Sequence, residues 1–478
     1  MSITPIGILY IIILLFLLLC KNNFEKIFLF CLTTNLFIEA GYAIKIGTEK
    51  YYFFFTITDY FLAGYCLCMI LRKHINISKK WLCLALSYII PVIMLIVFPS
   101  NALITPYGVY LDEVLYGSEE LVHPSFGIQT VKTSFIFLLY LTIPIYLYSQ
   151  YGLNDYKKLL RKLSGIIKIF LALGLLEYFI KNVLDLNDMW GNMITFLFGT
   201  FDVSFTEGRL RGDSYELILF TRESSHYAYT IFLSSIVLFA NNLINKRKNG
   251  FSFSLLICFL LLILSTSFSS LLFFIGFISL FLVYRWFIER PTSYRKEIFS
   301  TAILIMLLFI TLPVILSNMG DGFIGDRLSN LVINWRDFMA FDLTRVVTLG
   351  DNSSQARIFS VMHALEAFSS RPLFGLTLGM VTCHGATASF LASVGIIGLY
   401  FWIKAYFYSC PLKQLLCPKP NLYLLSIMIY LLVNMLNSLG IRPFYNTTLL
   451  LVVFCFCFIF STNDINCRSI NAKDDNIR

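Results

Sequence analysis

Residues 3–20 read ITPIGILYIIILLFLLLC, a run without a single charged side chain. A helix that crosses a bilayer needs roughly 20 mostly apolar residues, because an unsatisfied backbone group in hydrocarbon costs several kcal/mol. No basic segment precedes the run and no small-residue cleavage site follows it, so it reads as a retained helix. Working outward, runs of the same kind recur near 27–45, 51–71, 81–98, 133–149, 165–184, 226–244, 252–267, 269–287, 298–317, 385–403, 421–437 and 445–461. Composition agrees: of 478 residues, 58% are hydrophobic and 14% charged, outside the range of soluble domains. The pattern predicts an all-α polytopic membrane protein with about 12–14 transmembrane helices and large outer loops.

Charge orients it. The loops at 72–80, 150–164, 245–250, 285–297 and 404–420 hold eighteen Lys and Arg against three acids, Asp155, Glu289 and Glu297. By the positive-inside rule these loops are cytoplasmic, which places the amino terminus outside and the tail at 462–478 inside. The net charge of +9 is therefore a topology signal and does not point to nucleic acid. The opposite side carries the longer segments, 99–132, 185–225 and 318–384. The chain thus divides into 1–317 (ten spans with the outer loops 99–132 and 185–225), the large outer loop 318–384, the last spans at 385–461 and the tail. Twelve cysteines fall mostly inside apolar runs, where thiols act as small hydrophobes, so no disulfide framework is expected.

The 318–384 loop has no Lys but five Arg: Arg327, Arg336, Arg345, Arg357 and Arg371. Arg presents a planar, permanently charged fork suited to phosphate or carboxylate. The loop's six acids, Glu366 among them, offer these arginines an ordinary ion-pairing role as the alternative. Ser353 or Ser354 can cap a helix with Arg357, Val361, Leu365 and Phe368 along one face. That helix should stop at Arg371-Pro372, since the residue before proline disfavours the α region. His384 and a span containing Gly395 and Gly398 follow, the small residues allowing close helix contact. A second polar segment, Gly208-Arg209-Leu210-Arg211-Gly212-Asp213, leads to Thr221-Arg222-Glu223-Ser224-Ser225-His226 just before a span. A carboxylate or imidazole there can accept a proton; the plainer reading is a polar stop with Ser224 or Ser225 as N-cap. Within the spans, Glu39, Asp59, Lys168 and Glu177 stand out among the few ionisable residues, each a functional candidate by default. Lys168 can nevertheless snorkel to the inner interface, and Glu177 lies near the outer one.

The series Arg357, helix, Arg371-Pro372-Leu373-Phe374-Gly375, His384, then Ser389-Phe390-Leu391-Ala392-Ser393-Val394-Gly395-Ile396-Ile397-Gly398 resembles the O-antigen polymerase and ligase superfamily of bacterial inner-membrane proteins. Arg211-Gly212 and Glu223-Ser224-Ser225-His226 match a further family segment, with Ser224 where the family usually has Pro. The turn at Ser265-Thr266-Ser267-Phe268-Ser269 resembles the family's junction between two adjacent spans. The resemblance implies a GT-C-like glycosyltransferase fold with the site on periplasmic loops. Its substrates would be oligosaccharide repeat units on undecaprenyl pyrophosphate, joined without cofactor, nucleotide or metal. Arg357 would contact the pyrophosphate, with Arg211 or Arg209 assisting and Arg371 in the same set. Glu223 or His384 would orient or deprotonate the acceptor. A chain-length regulator and a flippase are the implied protein partners, beside the lipid bilayer itself.

Two other readings remain open at this stage. A ligase of the same superfamily would transfer finished glycan to the lipid A core; Gly385 after His384 favours the polymerase. A polysaccharide flippase or other transporter would be expected to carry charged midplane residues and short outer loops, opposite to this chain.

Overall fold

The computed structural model describes residues 2–19, 24–38, 42–46, 50–99, 127–199, 210–211, 214–221, 224–244, 253–265, 364–377 and 386–407. The expected spans at 269–287, 298–317, 421–437 and 445–461 lie outside them. The described part is 84% helical. Two of its helices, Lys79–Val97 and Asn154–Val183, are long and apolar enough to cross a membrane, with mean hydropathies of 2.2 and 1.9. The chain divides into two compact units: Met1–Leu62, Tyr151–Asp326 and Pro418–Ile427 form one, and Ala63–Gln150, Arg327–Cys417 and Met428–Arg478 the other.

In the first unit the helix Pro5–Leu19 lies within the run expected at 3–20, which opens instead on the short strand Ser2–Ile3. Thr4 Oγ1 accepts the Gly7 amide at 2.9 Å, and Pro5 sits in the first turn, where a missing N–H costs nothing. The Thr4 amide donates to Ala43 O at 3.2 Å, seating the helix start on a strand. That strand, Tyr42–Ile46, lies between Ser2–Ile3 and Lys50–Phe53 in an antiparallel sheet, with Lys45 opposite both Ser2 and Tyr51. Here the spans read from sequence were too long. The helix expected to run to 45 is Phe24–Phe37, and the next opens at Phe54, because Tyr, Ile and Phe at 42–53 suit a pleated ribbon as well as a span.

The helix Leu153–Tyr178 packs on Phe24–Phe37, Ser224–Ile244 and Phe253–Leu264. Phe37 stacks on Phe170 with ring centres 3.7 Å apart, and Phe28, Phe232 and Phe239 are fully buried. Asp155 starts that helix by accepting the Gly152 amide at 3.0 Å. Glu25 pairs with Lys162 and, at 3.7 Å, with Lys158. The hydrogen bond from Lys162 holds the Glu25 carboxyl below its usual range. A depressed carboxyl stabilises the fold at neutral pH and loses that effect as pH falls through its lowered value. Both lysines are well exposed, so solvent screening keeps the pair below about 1 kcal/mol. Glu25→Gln is accordingly expected to leave membrane abundance within about twofold of normal, read by quantitative blotting.

In the second unit the helix Lys79–Val97 packs on Ile128–Gln150 and on Ala386–Phe407. Tyr88 lies 3.7 Å from Phe137 and 6.3 Å from Phe390, ring centre to ring centre. At the other end Lys80 sits 3.4 Å over the Tyr148 ring, and Lys73 donates to Gln150 Oε1 at 2.5 Å. Cys66 is buried and Cys68 exposed, as their spacing on a helix requires, and the described cysteines form no disulfide. Apolar surface is abundant: on Pro5–Leu19 alone, Ile8, Leu9, Ile12, Leu15, Phe16 and Leu19 are 51–86% exposed.

Candidate functional site

Among the described residues, each unit has a region that gathers polar groups around a break in its helices. In the second unit, a helical segment at 364–370 ends before Arg371-Pro372, as the proline predicts. Its inward side is Ala364 and Ala367, which with Phe368 pack on Leu376, Ala388 and Ala392, while Leu365 is 47% exposed. The turn that follows docks into a break in the helix Ala386–Phe407. Leu376 and Thr377 donate their amides to Ala392 O at 2.8 Å and Ser393 O at 2.9 Å. Ile396 and Ile397 donate to Pro372 O at 2.8 Å and Leu373 O at 3.0 Å. A helix break orphans such groups at both new ends. Left buried without partners, each would cost about 1–3 kcal/mol.

The break is at Gly395, with φ 64° and ψ −173°. A continuous span at 385–403, expected from sequence, is therefore interrupted. Phe390 and Trp402 confirm the bend: their ring centres are 6.0 Å apart, whereas twelve residues of straight helix separate Cα atoms by about 18 Å. Gly395 and Gly398 were both expected to permit helix contact, and they do different work. A Cβ on Gly398 would meet Ser87 O at 2.7 Å, so that glycine does admit the neighbouring helix. A Cβ on Gly395 would meet Leu373 O and Gly375 N at 2.6 Å, so that glycine admits the turn. Gly375 (φ 69°) and Thr377 (φ 75°) are also left-handed. For β-branched Thr377 this is strained backbone, the kind that clusters at functional positions.

Arg371 stands at the base of this turn. Its amide donates to Phe368 O at 3.0 Å and its carbonyl accepts Gly375 N at 2.9 Å. Nη2 donates to Met94 O at 2.5 Å, near the end of the Lys79–Val97 helix. Nη1 is buried and has no hydrogen-bond partner among the described residues. Burial pulls the guanidinium down from its ordinary value, although arginine stays charged at any physiological pH. A planar cation with a donor unspent is chemically suited to an anionic oxygen.

In the first unit, the helix Leu153–Tyr178 runs into a π-helical turn, Phe179–Val183, where Leu184 N reaches back to Phe179 O at 3.0 Å. Such turns recur at functional sites. Glu177 and Lys181 pair across it at 2.8 Å, with side chains 0% and 2% exposed. Together with Asn182 they hold the strap 214–221. Glu177 accepts the amides of Ile218 at 3.2 Å and Leu219 at 2.8 Å. Lys181 donates to Glu216 O at 3.2 Å. Asn182 grips Tyr215 from both sides, accepting its amide at 2.6 Å and donating to its carbonyl at 3.3 Å. Tyr227, fully buried, packs its hydroxyl against Gly174, where a Cβ would come within 3.2 Å of the ring carbon bearing it. Ser224 opens the next helix with its hydroxyl buried and unbonded among the described residues, so it heads that helix without capping it.

Of the candidates read from sequence, the structure describes Arg371 in full and Arg211 as backbone. Arg211 belongs to a short strand, Leu210–Arg211, paired with Ser214–Tyr215. Arg209, Glu223, Arg357 and His384 lie outside the described residues, as does Glu39. Glu177 was legible as an ionisable residue in a span. Its partners were not: Lys181 had an i, i+4 signal, but only folding brings the backbone of 215–219 to it. Asp59, also flagged, is buried and accepts a hydrogen bond from Asn35. Comparison with protein-family models, with curated proteins and with solved structures finds no match to this chain.

Proposed function

We propose that this chain is a multi-pass bacterial inner-membrane glycosyltransferase that polymerises undecaprenyl-pyrophosphate-linked repeat units into O-antigen or a related surface polysaccharide. The observation that carries the reading is the junction at Gly395. The Arg371-Pro372-Leu373-Phe374-Gly375 turn and the Ser393–Gly398 stretch, two parts of the resemblance about twenty residues apart in sequence, hydrogen-bond to each other and leave Arg371 with an unspent donor.

The multi-pass topology has its own support. Glu25 with Lys158 and Lys162, and Lys73 with Gln150, join segments that charge assigns to the cytoplasmic side. Arg371 with Met94, and Lys181 with Glu216, join segments assigned to the outer side. The exposed apolar belt on Pro5–Leu19 is larger than a water-facing helix carries and fits lipid.

In this reading an acceptor sugar hydroxyl attacks the anomeric carbon of the growing chain. The anomeric C–O bond to pyrophosphate breaks as the new glycosidic C–O bond forms. The hydroxyl proton passes to Glu223 or His384, and undecaprenyl pyrophosphate leaves with the developing negative charge. Arg357 and Arg371 stabilise that charge by fixed forks, the usual largest source of acceleration in such a step.

The test is the banding of surface lipopolysaccharide from a deletion strain carrying variants in trans. Deletion is expected to leave core plus one repeat unit; bare core would assign the ligase reaction instead, and an unchanged ladder would end the transferase reading. Arg357→Ala and Arg357→Lys are both expected to reproduce the deletion pattern, since Lys offers a point charge and no fork.

A further inference from the structure

The Glu177–Lys181 pair is buried and fully engaged, yet it lies in no part of the motif set described above. We propose that Glu177, neutralised by Lys181, is a positioning residue that fixes the strap 214–221, which leads in sequence to Glu223; this rests on the transferase reading. The geometry is specific. Both carboxylate oxygens are spent on strap amides, Oε1 on Ile218 and Oε2 on Leu219, while Lys181 binds Oε1 and the Glu216 carbonyl.

Leu219 is the telling contact. It is a non-glycine residue at φ 46°, a left-handed conformation that leucine avoids. Its side chain is buried, and its strained backbone amide makes the shorter of the two bonds to Glu177. A strained conformation persists only where its surroundings over-determine it. Here the over-determination comes from one carboxylate, from Asn182, which fixes Tyr215 upstream, and from Thr221, whose amide and hydroxyl both donate to Ile218 O at 2.8 and 2.7 Å. A purely structural ion pair would need no strap: Lys181 alone would neutralise Glu177. A carboxylate that spends both oxygens on the backbone of a loop is instead a ruler for that loop.

Three variants separate positioning from folding. Glu177→Gln keeps the shape, loses the charge and leaves Lys181 buried without a counter-ion. Lys181→Met leaves the carboxylate without its cation. The double variant removes both charges and with them the cost of an unpaired buried one. The readouts are membrane abundance, the polysaccharide ladder, and tryptic cleavage at Arg222 in spheroplasts, where trypsin meets the outer face. Glu177→Gln is expected to speed that cleavage at least about tenfold, the factor for losing a charge-assisted hydrogen bond. The double variant is expected to recover abundance and still give fast cleavage and a lost or shortened ladder.

A double variant with normal abundance, slow cleavage and a full ladder overturns the proposal. So does fast cleavage with a full ladder, in a background where deletion removes the ladder. If deletion itself leaves the ladder intact, the transferase reading falls first and the positioning role falls with it. The cleavage result then still reports whether Glu177 holds the strap.

Discussion

Gly395→Ala is expected to abolish function and to lower the amount of folded protein several-fold. Two effects add at this position. A non-glycine residue at φ 64° carries the left-handed strain, roughly 1–2 kcal/mol. The added Cβ would also stand 2.6 Å from Leu373 O and from Gly375 N. Both contacts are backbone, so no side chain can swing away to relieve them. The turn must withdraw, and with it go the four hydrogen bonds that satisfy Ala392, Ser393, Ile396 and Ile397. Losing even two of these in a buried place costs about 2–6 kcal/mol, comparable to the whole stability of many domains. Gly375→Ala should behave alike, because a Cβ there meets Ser393 O at 2.5 Å and Gly395 N at 2.7 Å. Gly64→Ala is the control, since a Cβ there meets nothing within 4 Å. Abundance by blotting and the polysaccharide ladder read all three. A full ladder from Gly395→Ala would mean that the junction does not hold the turn as described.

Arg371 should separate stability from chemistry. Removing the side chain in Arg371→Ala breaks the 2.5 Å bond to Met94 O and strips the turn of its tie to the neighbouring helix. A loss of about 1–3 kcal/mol is expected, and with it reduced abundance. Arg371→Lys can still reach a carbonyl with one donor, so abundance should stay near normal. Its ladder should nevertheless collapse, because lysine cannot donate to Met94 O and to an anion through one planar fork. If Arg371→Lys supports a full ladder, Arg371 only anchors the turn, and pyrophosphate binding must rest on other arginines.

Several features were legible without coordinates because they depend on near neighbours. Apolar runs such as 81–98 became helices with little change, and Pro372 ended the helix before it. The 3–20 run holds the helix Pro5–Leu19, and the Thr4 cap on Gly7 that fixes its start came from the structure. Where one run could serve two structures, sequence was less decisive. Tyr42–Ile46 and Lys50–Phe53 satisfy a span or a ribbon equally, and the choice was made by pairing with Ser2–Ile3 and by Ala43 O receiving the Thr4 amide.

Sequence by itself determined that this chain is mostly helical and rich in membrane-length apolar stretches, and it singled out Arg371, Gly395 and Glu177 as positions to watch. Helix periodicity, proline geometry and charge bias act over a few residues, so they can be read along the chain. Tertiary structure alone decided what those positions do. Gly395 breaks its helix because a turn some twenty residues earlier supplies the missing hydrogen bonds. Glu177 is fully bonded because amides about forty residues later come to it. Such pairings join distant stretches of backbone, and every residue carries the same amide and carbonyl, so side-chain identity leaves them unmarked until the chain has folded.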